Sequence, residues 1–172
     1  MKKRTLLPYI KNASENFPVV LVSGPRQVGK TTIFDLAAGG ERKKVSLDDE
    51  NAMLLATSDP VAFFEQFSPP VLIDEVQYAP QLFKQIKILS DRLKKNGLFW
   101  LTGSQVFSMM KNVSETLAGR IAILNLQGFS QSEISDKPDI KPFVPKIMPE
   151  RKGYRLTVQS AFENIWRGSF PR

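Results

Sequence analysis

Gly24-Pro-Arg-Gln-Val-Gly29-Lys30-Thr31 is the stretch that decides the fold of this chain. It fits G-x-x-x-x-G-K-[ST], the phosphate-binding loop pattern. The apolar run Pro18-Val-Val-Leu-Val-Ser23 leads into it and reads as a buried strand. Thr31-Thr-Ile-Phe-Asp-Leu-Ala-Ala38 leads out as a helix, stopped by Gly39-Gly40. A strand, a glycine-rich turn and a helix start aim several backbone N–H groups at one point. The positive end of the helix dipole adds to them, so the turn is an anion site. Gly24 and Gly29 let the backbone close on a phosphate with no Cβ in the way. Lys30 is expected to reach the β- and γ-phosphates, and the Thr31 hydroxyl to ligate Mg²⁺. The expected nucleotide contacts are Gly24, Pro25, Arg26, Gln27, Val28, Gly29, Lys30, Thr31 and Thr32.

Composition narrows the chemistry. The chain has 172 residues, 42% hydrophobic and 24% charged, which suits one domain with a real core. It has no cysteine and no histidine. That removes disulfides, thiolate nucleophiles, Ser-His-Asp catalysis and most transition-metal sites. A metal here is expected to be oxygen-ligated, which points to Mg²⁺. The basic start Met1-Lys-Lys-Arg lacks the apolar core of a signal peptide, and no apolar stretch is long enough to span a bilayer. A cytoplasmic protein is the expectation. The net charge of +7 allows a polyanionic partner, but the basic residues are scattered and no aromatic platform interleaves them.

Further strands alternate with helices. A short helix is expected over 3–16, ahead of the first strand. Strands are expected at 43–48, 71–75, 98–102 and 121–126, with helices over 51–57, 60–66, 80–95 and 105–118. Asp49 and Asp59 read as N-caps, the latter with Pro60 at the first helical position. Leu82, Ile86, Leu89 and Leu93 make the apolar face of the helix over 80–95. The pattern is that of an α/β fold: a three-layer phosphate-loop NTPase architecture with a five-stranded, mostly parallel sheet. Three parts are expected: an ATPase domain over 1–135, a proline-rich linker over 136–152, and over 153–172 the start of a helical element that continues further.

Ligands of open parallel sheets bind outside the carboxyl ends of the strands, so Asp74-Glu75 should share a rim with the loop. Asp74 can hold Mg²⁺ opposite Thr31, and Glu75 can accept a proton from an attacking water. Ser104, then Gln105 and Thr102, are candidates to sense the γ-phosphate from the next strand end. The alternative for Ser104 is a plain helix N-cap. Arg120, after Gly119, is either a phosphate-stabilising guanidinium, in its own subunit or a neighbour's, or a surface arginine at a helix end. Arg26 and Arg167 are weaker candidates. Lys43 and Lys44 read as surface charge.

Val20-Leu-Val-Ser-Gly-Pro-Arg-Gln-Val-Gly-Lys-Thr-Thr32, Val45-Ser-Leu-Asp-Asp49, Val71-Leu-Ile-Asp-Glu-Val-Gln-Tyr-Ala-Pro80, Leu101-Thr-Gly-Ser-Gln105 and Ser114-Glu-Thr-Leu-Ala-Gly-Arg120 stand in order. Together they resemble the prokaryotic AAA-type ATPases that carry a C-terminal DUF4143 domain. Trp166-Arg-Gly-Ser-Phe-Pro171 resembles the segment leading into that domain. The resemblance implies an AAA+-like sheet with the strand ending at Thr102 between the loop strand and the Asp74 strand. It implies ATP and Mg²⁺ as ligands, with Lys30, Thr31, Asp74 and Glu75 in the roles above and Ser104 as sensor. Three functions are weighed: an ATPase with Glu75 as base, a nucleotide-gated switch with little turnover, and a DNA-associated motor or loader. A homo-oligomer, the C-terminal domain and nucleic acid stand as partners to test.

Overall fold

The computed structural model describes residues 2–38, 42–104, 113, 115–136 and 157–171. The predicted helix over 105–118 and the linker over 136–152 lie largely outside the described residues, as do Gln105 and the Gly39-Gly40 stop. The described residues fall into two compact units, Leu6–Gln127 and a second made from Met1–Thr5 with Gly128–Arg172. The sequence instead places a boundary near 135.

The first unit opens with α1 (Leu7–Asn16), β1 (Val19–Ser23) and α2 (Lys30–Ala38). Next come β2 (Lys43–Ser46), α3 (Glu50–Ser58), α4 (Pro60–Gln66) and β3 (Val71–Asp74). A 3₁₀ turn (Val76–Tyr78), α5 (Leu82–Leu93), β4 (Phe99–Gly103) and β5 (Ile121–Asn125) complete it. The sheet order is β2-β3-β4-β1-β5, and every pairing is parallel. β4 therefore lies between β1 and β3, so the polar end of β4 stands between the phosphate loop and Asp74.

All five residues of β1 are buried, because the strand is central and covered on both faces. Its alternate side chains feed two cores. Val19 and Leu21 pack with Phe63, Phe83, Ile86 and Phe99 on the α4–α5 side. Val20 and Val22 pack with Ile10, Ile33, Phe34 and Trp100 on the α1–α2 side. This is the three-layer α/β arrangement expected from the sequence.

Boundaries moved where local chemistry outweighs periodicity. Asp49 does cap α3, its side chain accepting from Ala52 N, and Asp59 caps α4. α5 ends at Leu93 because Lys94 adopts the left-handed conformation. Leu93 itself is exposed, while Phe83 is buried in its place, so the packed face is rotated from the one the spacing suggests. β3 stops at Asp74, one residue short of expectation, because Glu75 turns left-handed at φ 55° and ψ 46°.

Arg42, just ahead of β2, is a structural group. Its Nη2 donates to Gly97 O at 2.7 Å and its Nη1 to Leu98 O at 3.1 Å. The guanidinium lies 3.9 Å from the Trp100 ring centroid, and Trp100 stacks on Phe34. Burial pushes the Arg42 pKa down to about 10, which leaves it cationic at neutral pH. Lys43 donates to Gln66 O and Ser68 Oγ, and Lys44 pairs with Asp35. Both lysines act as surface charge, as read.

In the second unit, α6 (Gln131–Ile134) starts with a capping box between Ser130 and Glu133. Thr5 N donates to Glu133 Oε1 at 2.7 Å, which ties the chain start to this turn. The same unit holds α7 (Val158–Arg167), capped by Thr157.

Candidate functional site

The loop between β1 and α2 has the backbone its glycines permit. Gly24 sits at φ 152° and Gly29 at φ 88°, values that L side chains resist. Gly24 is crowded as well as twisted, since an added Cβ would lie 2.0 Å from Leu126 O. Gly24 N donates to Gly103 O at 3.3 Å, fastening the start of the loop to the end of β4. α2 begins at Lys30, so its unpaired N–H groups open toward the loop.

Lys30 is 6% exposed. Its Nζ donates to Gly24 O at 3.1 Å and Pro25 O at 2.9 Å. Burial holds its pKa below the ordinary lysine value, and the carboxylates of Glu75 and Asp74 oppose that shift only in part. The ammonium thus belongs to the electrostatic neighbourhood of the acidic pair.

Asp74 and Thr102 are joined across the β3–β4 pair. Thr102 Oγ1 donates to Asp74 Oδ1 and accepts from Glu75 N at 3.0 Å. Thr31 Oγ1 donates to the same Asp74 oxygen at 2.9 Å. Thr31, the first residue after Lys30 in α2, and Asp74, the last residue of β3, therefore meet at one spot on the carboxyl rim. Two oxygens so placed suit a hard cation. No group of three or more metal-binding Asp or Glu side chains exists among the described residues.

Glu75 leaves the strand in the left-handed region, which is uncommon for a residue with a Cβ. Its Oε2 accepts from Ser104 Oγ at 3.1 Å and from Gln77 Nε2. Gln77 Nε2 also lies 3.2 Å from Ser104 Oγ. Glu75 lines a cleft of about 280 Å³ with Arg26, Gln27 and Asp48. Arg26 Nη2 donates to Tyr78 Oη at 3.0 Å.

The structure thus brings Lys30, Thr31, Asp74, Glu75 and Ser104 to one rim, with Arg26 beside them. It does not bring Arg120 there. Val19 N donates to Arg120 O at 3.1 Å, so Arg120 flanks the beginning of β1, while the phosphate loop follows its end. Five residues of strand put about 16 Å between those rims. The Arg120 guanidinium instead holds Asp91 through Nε at 2.6 Å and Nη2 at 3.1 Å. A role for Arg120 at its own subunit's phosphate loop is therefore corrected: the side chain is committed to α5 on the opposite rim. Arg167 ends α7, in the second unit. Sequence reasoning missed Gln77, Tyr78 and Asp48, and ranked Thr102 last of three although it is the hinge between Asp74 and Glu75. Only the left-handed turn at Glu75 could have signalled Gln77, and nothing in the residue pattern announces that turn.

A family model described as an AAA domain matches residues 16–135. Two curated proteins are each 32% identical over 171 residues: "Uncharacterized protein Rv2008c" of Mycobacterium tuberculosis (strain ATCC 25618 / H37Rv) and "Uncharacterized protein Mb2031c" of Mycobacterium bovis (strain ATCC BAA-935 / AF2122/97). Each match covers 99% of this chain, which spans 38% of the length of those relatives. Among solved structures, the Walker-type ATPase PABY2304 of Pyrococcus abyssi aligns with a TM-score of 0.54 at 19% identity, covering 74% of this chain and 53% of that one. PCH-2 of C. elegans aligns at 0.51 and 17% identity, covering 74% and 43%. These two likenesses carry the fold alone. The chain belongs to the AAA domain family, as an AAA-type phosphate-loop ATPase domain.

Proposed function

We propose that residues 6–127 bind ATP and hydrolyse it, with Glu75 accepting a proton from the attacking water. The observation that supports this most is the convergence on Asp74 and Glu75: Thr31 and Thr102 on the first carboxylate, Ser104 and Gln77 on the second. The loop amides and Lys30 would hold the β- and γ-phosphates. Lys30 would exchange its bonds to the Gly24 and Pro25 carbonyls for bonds to phosphate oxygens, which as charge-assisted bonds are stronger. Thr31 and Asp74 would hold Mg²⁺, which would supply positive charge to offset that of the phosphoryl group. Ser104 would sit between Glu75 and the terminal phosphate. Catalysis would rest on positioning and charge stabilisation, with little covalent chemistry left to the protein.

In this reading Arg120 faces outward to serve the site of a neighbouring copy, which makes a homo-oligomer the active form. The part after Gly128 belongs with a C-terminal domain of the DUF4143 kind, which the low coverage of the longer relatives accommodates. A cytoplasmic location goes with this reading, and no helix among the described residues is long and apolar enough to cross a membrane.

Single-turnover hydrolysis of labelled ATP tests the base. Glu75→Gln should lower cleavage by about 10²-fold or more, the range of a positioned general base, while ATP binding persists. Equal cleavage by wild type and variant would remove Glu75 as base, and binding of ATP with negligible cleavage by the wild type would make a nucleotide-gated switch the better description.

A further inference from the structure

We infer that Gln77 is a positioning residue for the proposed base: it pins one oxygen of Glu75 against Ser104 so that the other faces the cleft. This rests on the reading of Glu75 given above and goes beyond it by naming a residue that acts through Glu75. Three features of the turn carry it.

The two donors are not spread over the carboxylate. Gln77 Nε2 and Ser104 Oγ both bond Oε2, and Oε1 bonds no described residue. Two bonds on one oxygen fix the rotation of the carboxylate and leave its second oxygen open to a water. Glu75 lines the cleft shared with Arg26 and Gln27 of the phosphate loop, where the proposed function would put the terminal phosphate.

The Gln77 amide is not placed for its own satisfaction. Its Oε1 is buried and has no hydrogen-bond partner among the described residues. A buried acceptor left unpaired is destabilising. Turning the amide over would recover nothing, because its carbonyl would then face the Glu75 carboxylate. A turn that carries such a cost to keep an NH₂ on a carboxylate resembles the local sacrifices found at functional sites.

The backbone is built to bring Gln77 back. With Glu75 left-handed, Tyr78 N returns to Glu75 O at 3.1 Å. That closes the 3₁₀ turn and folds residue 77 over residue 75. Tyr78 then accepts from Arg26, so the same turn touches both the phosphate loop and the base.

The test uses Gln77→Leu, close in volume but without donors, and Gln77→Glu, which sets a carboxylate against Glu75. Turnover, nucleotide affinity by calorimetry and thermal melting are measured on each in the full chain. Gln77→Leu should lower kcat about 10-fold or more, as loss of alignment does, with ATP affinity and melting temperature within error of wild type. Gln77→Glu should fall further. On a Glu75→Gln background, Gln77→Leu should change residual single-turnover cleavage no more, since a residue acting through Glu75 has nothing left to act on. An unchanged kcat in Gln77→Leu, with Glu75→Gln inactive, overturns this inference and spares the base. Parallel losses of affinity, melting temperature and kcat overturn it too, by showing a structural role. Wild-type cleavage in Glu75→Gln removes both readings together.

Discussion

Thr31 Oγ1 and Asp74 Oδ1 stand 2.9 Å apart, although 43 residues separate them in the chain. One lies in the first turn of the helix after the phosphate loop and the other closes β3, two places from β1 in the sheet. Their meeting depends on the strand order, because β4 must fit between β1 and β3 for Thr102 to brace Asp74 from the inner side.

Removing Asp74 should therefore uncouple nucleotide from metal. In Asp74→Ala, adding Mg²⁺ should no longer strengthen ATP binding, whereas in wild type it should strengthen it about 10-fold or more, the scale of one to two charge-assisted contacts. Calorimetric titrations of ATP with Mg²⁺ and with EDTA give the comparison. An Asp74→Ala protein that still gains affinity from Mg²⁺ would move the cation site elsewhere.

The loop makes a separate demand on Gly24. At φ 152°, with the carbonyl of Leu126 in the place of a Cβ, Gly24→Ala must shift either the loop or the start of the segment after β5. Strain and overpacking of this kind cost roughly 2 kcal/mol, or about 4–8 °C in melting temperature for a unit of this size. Circular dichroism melts measure it directly. A variant that melts with wild type would mean that the loop backbone relaxes freely, which is incompatible with a preformed phosphate cradle.

The fold was legible in the sequence because its signals are local and repeated. Apolar runs such as Val71–Asp74 end in polar rims, and glycines and prolines punctuate the helices. Those signals fix the order of elements, and a parallel sheet follows from their alternation. The convergence of side chains is a different matter. Asp74 and Glu75 stand out because two acids end an apolar strand, but Gln77 reaches Glu75 only through a left-handed residue that no propensity favours. The role of Arg42 was not legible, since nothing in Arg42-Lys-Lys44 tells the residue that stacks on Trp100 from the two that meet solvent. Arg120 was ambiguous for a related reason: the sequence puts it at the start of a strand, and only the sheet shows which rim that is.

Arg120 gives the sharpest separation of structure from activity. Its hydrogen bonds hold the Asp91 carboxyl below the usual carboxylate range. A depressed acid adds stability above its unfolded value, near pH 4, and loses it as pH falls through the lower folded value. Both groups are at the surface, where such pairs are worth little. Arg120→Ala should therefore melt close to wild type at pH 7, and any small difference should shrink below about pH 4 and in high salt. If Arg120 serves a neighbouring copy, Arg120→Ala should nonetheless lose turnover, by about 10³-fold on the scale of arginine fingers. Mixing then decides between cis and trans. Arg120→Ala and Glu75→Gln proteins, each inactive alone, should recover part of the activity when combined, because a mixed interface joins an intact Glu75 to an intact Arg120. Full turnover by Arg120→Ala alone would reduce the residue to the Asp91 pair seen here, and silence of the mixture would break the link between assembly and hydrolysis.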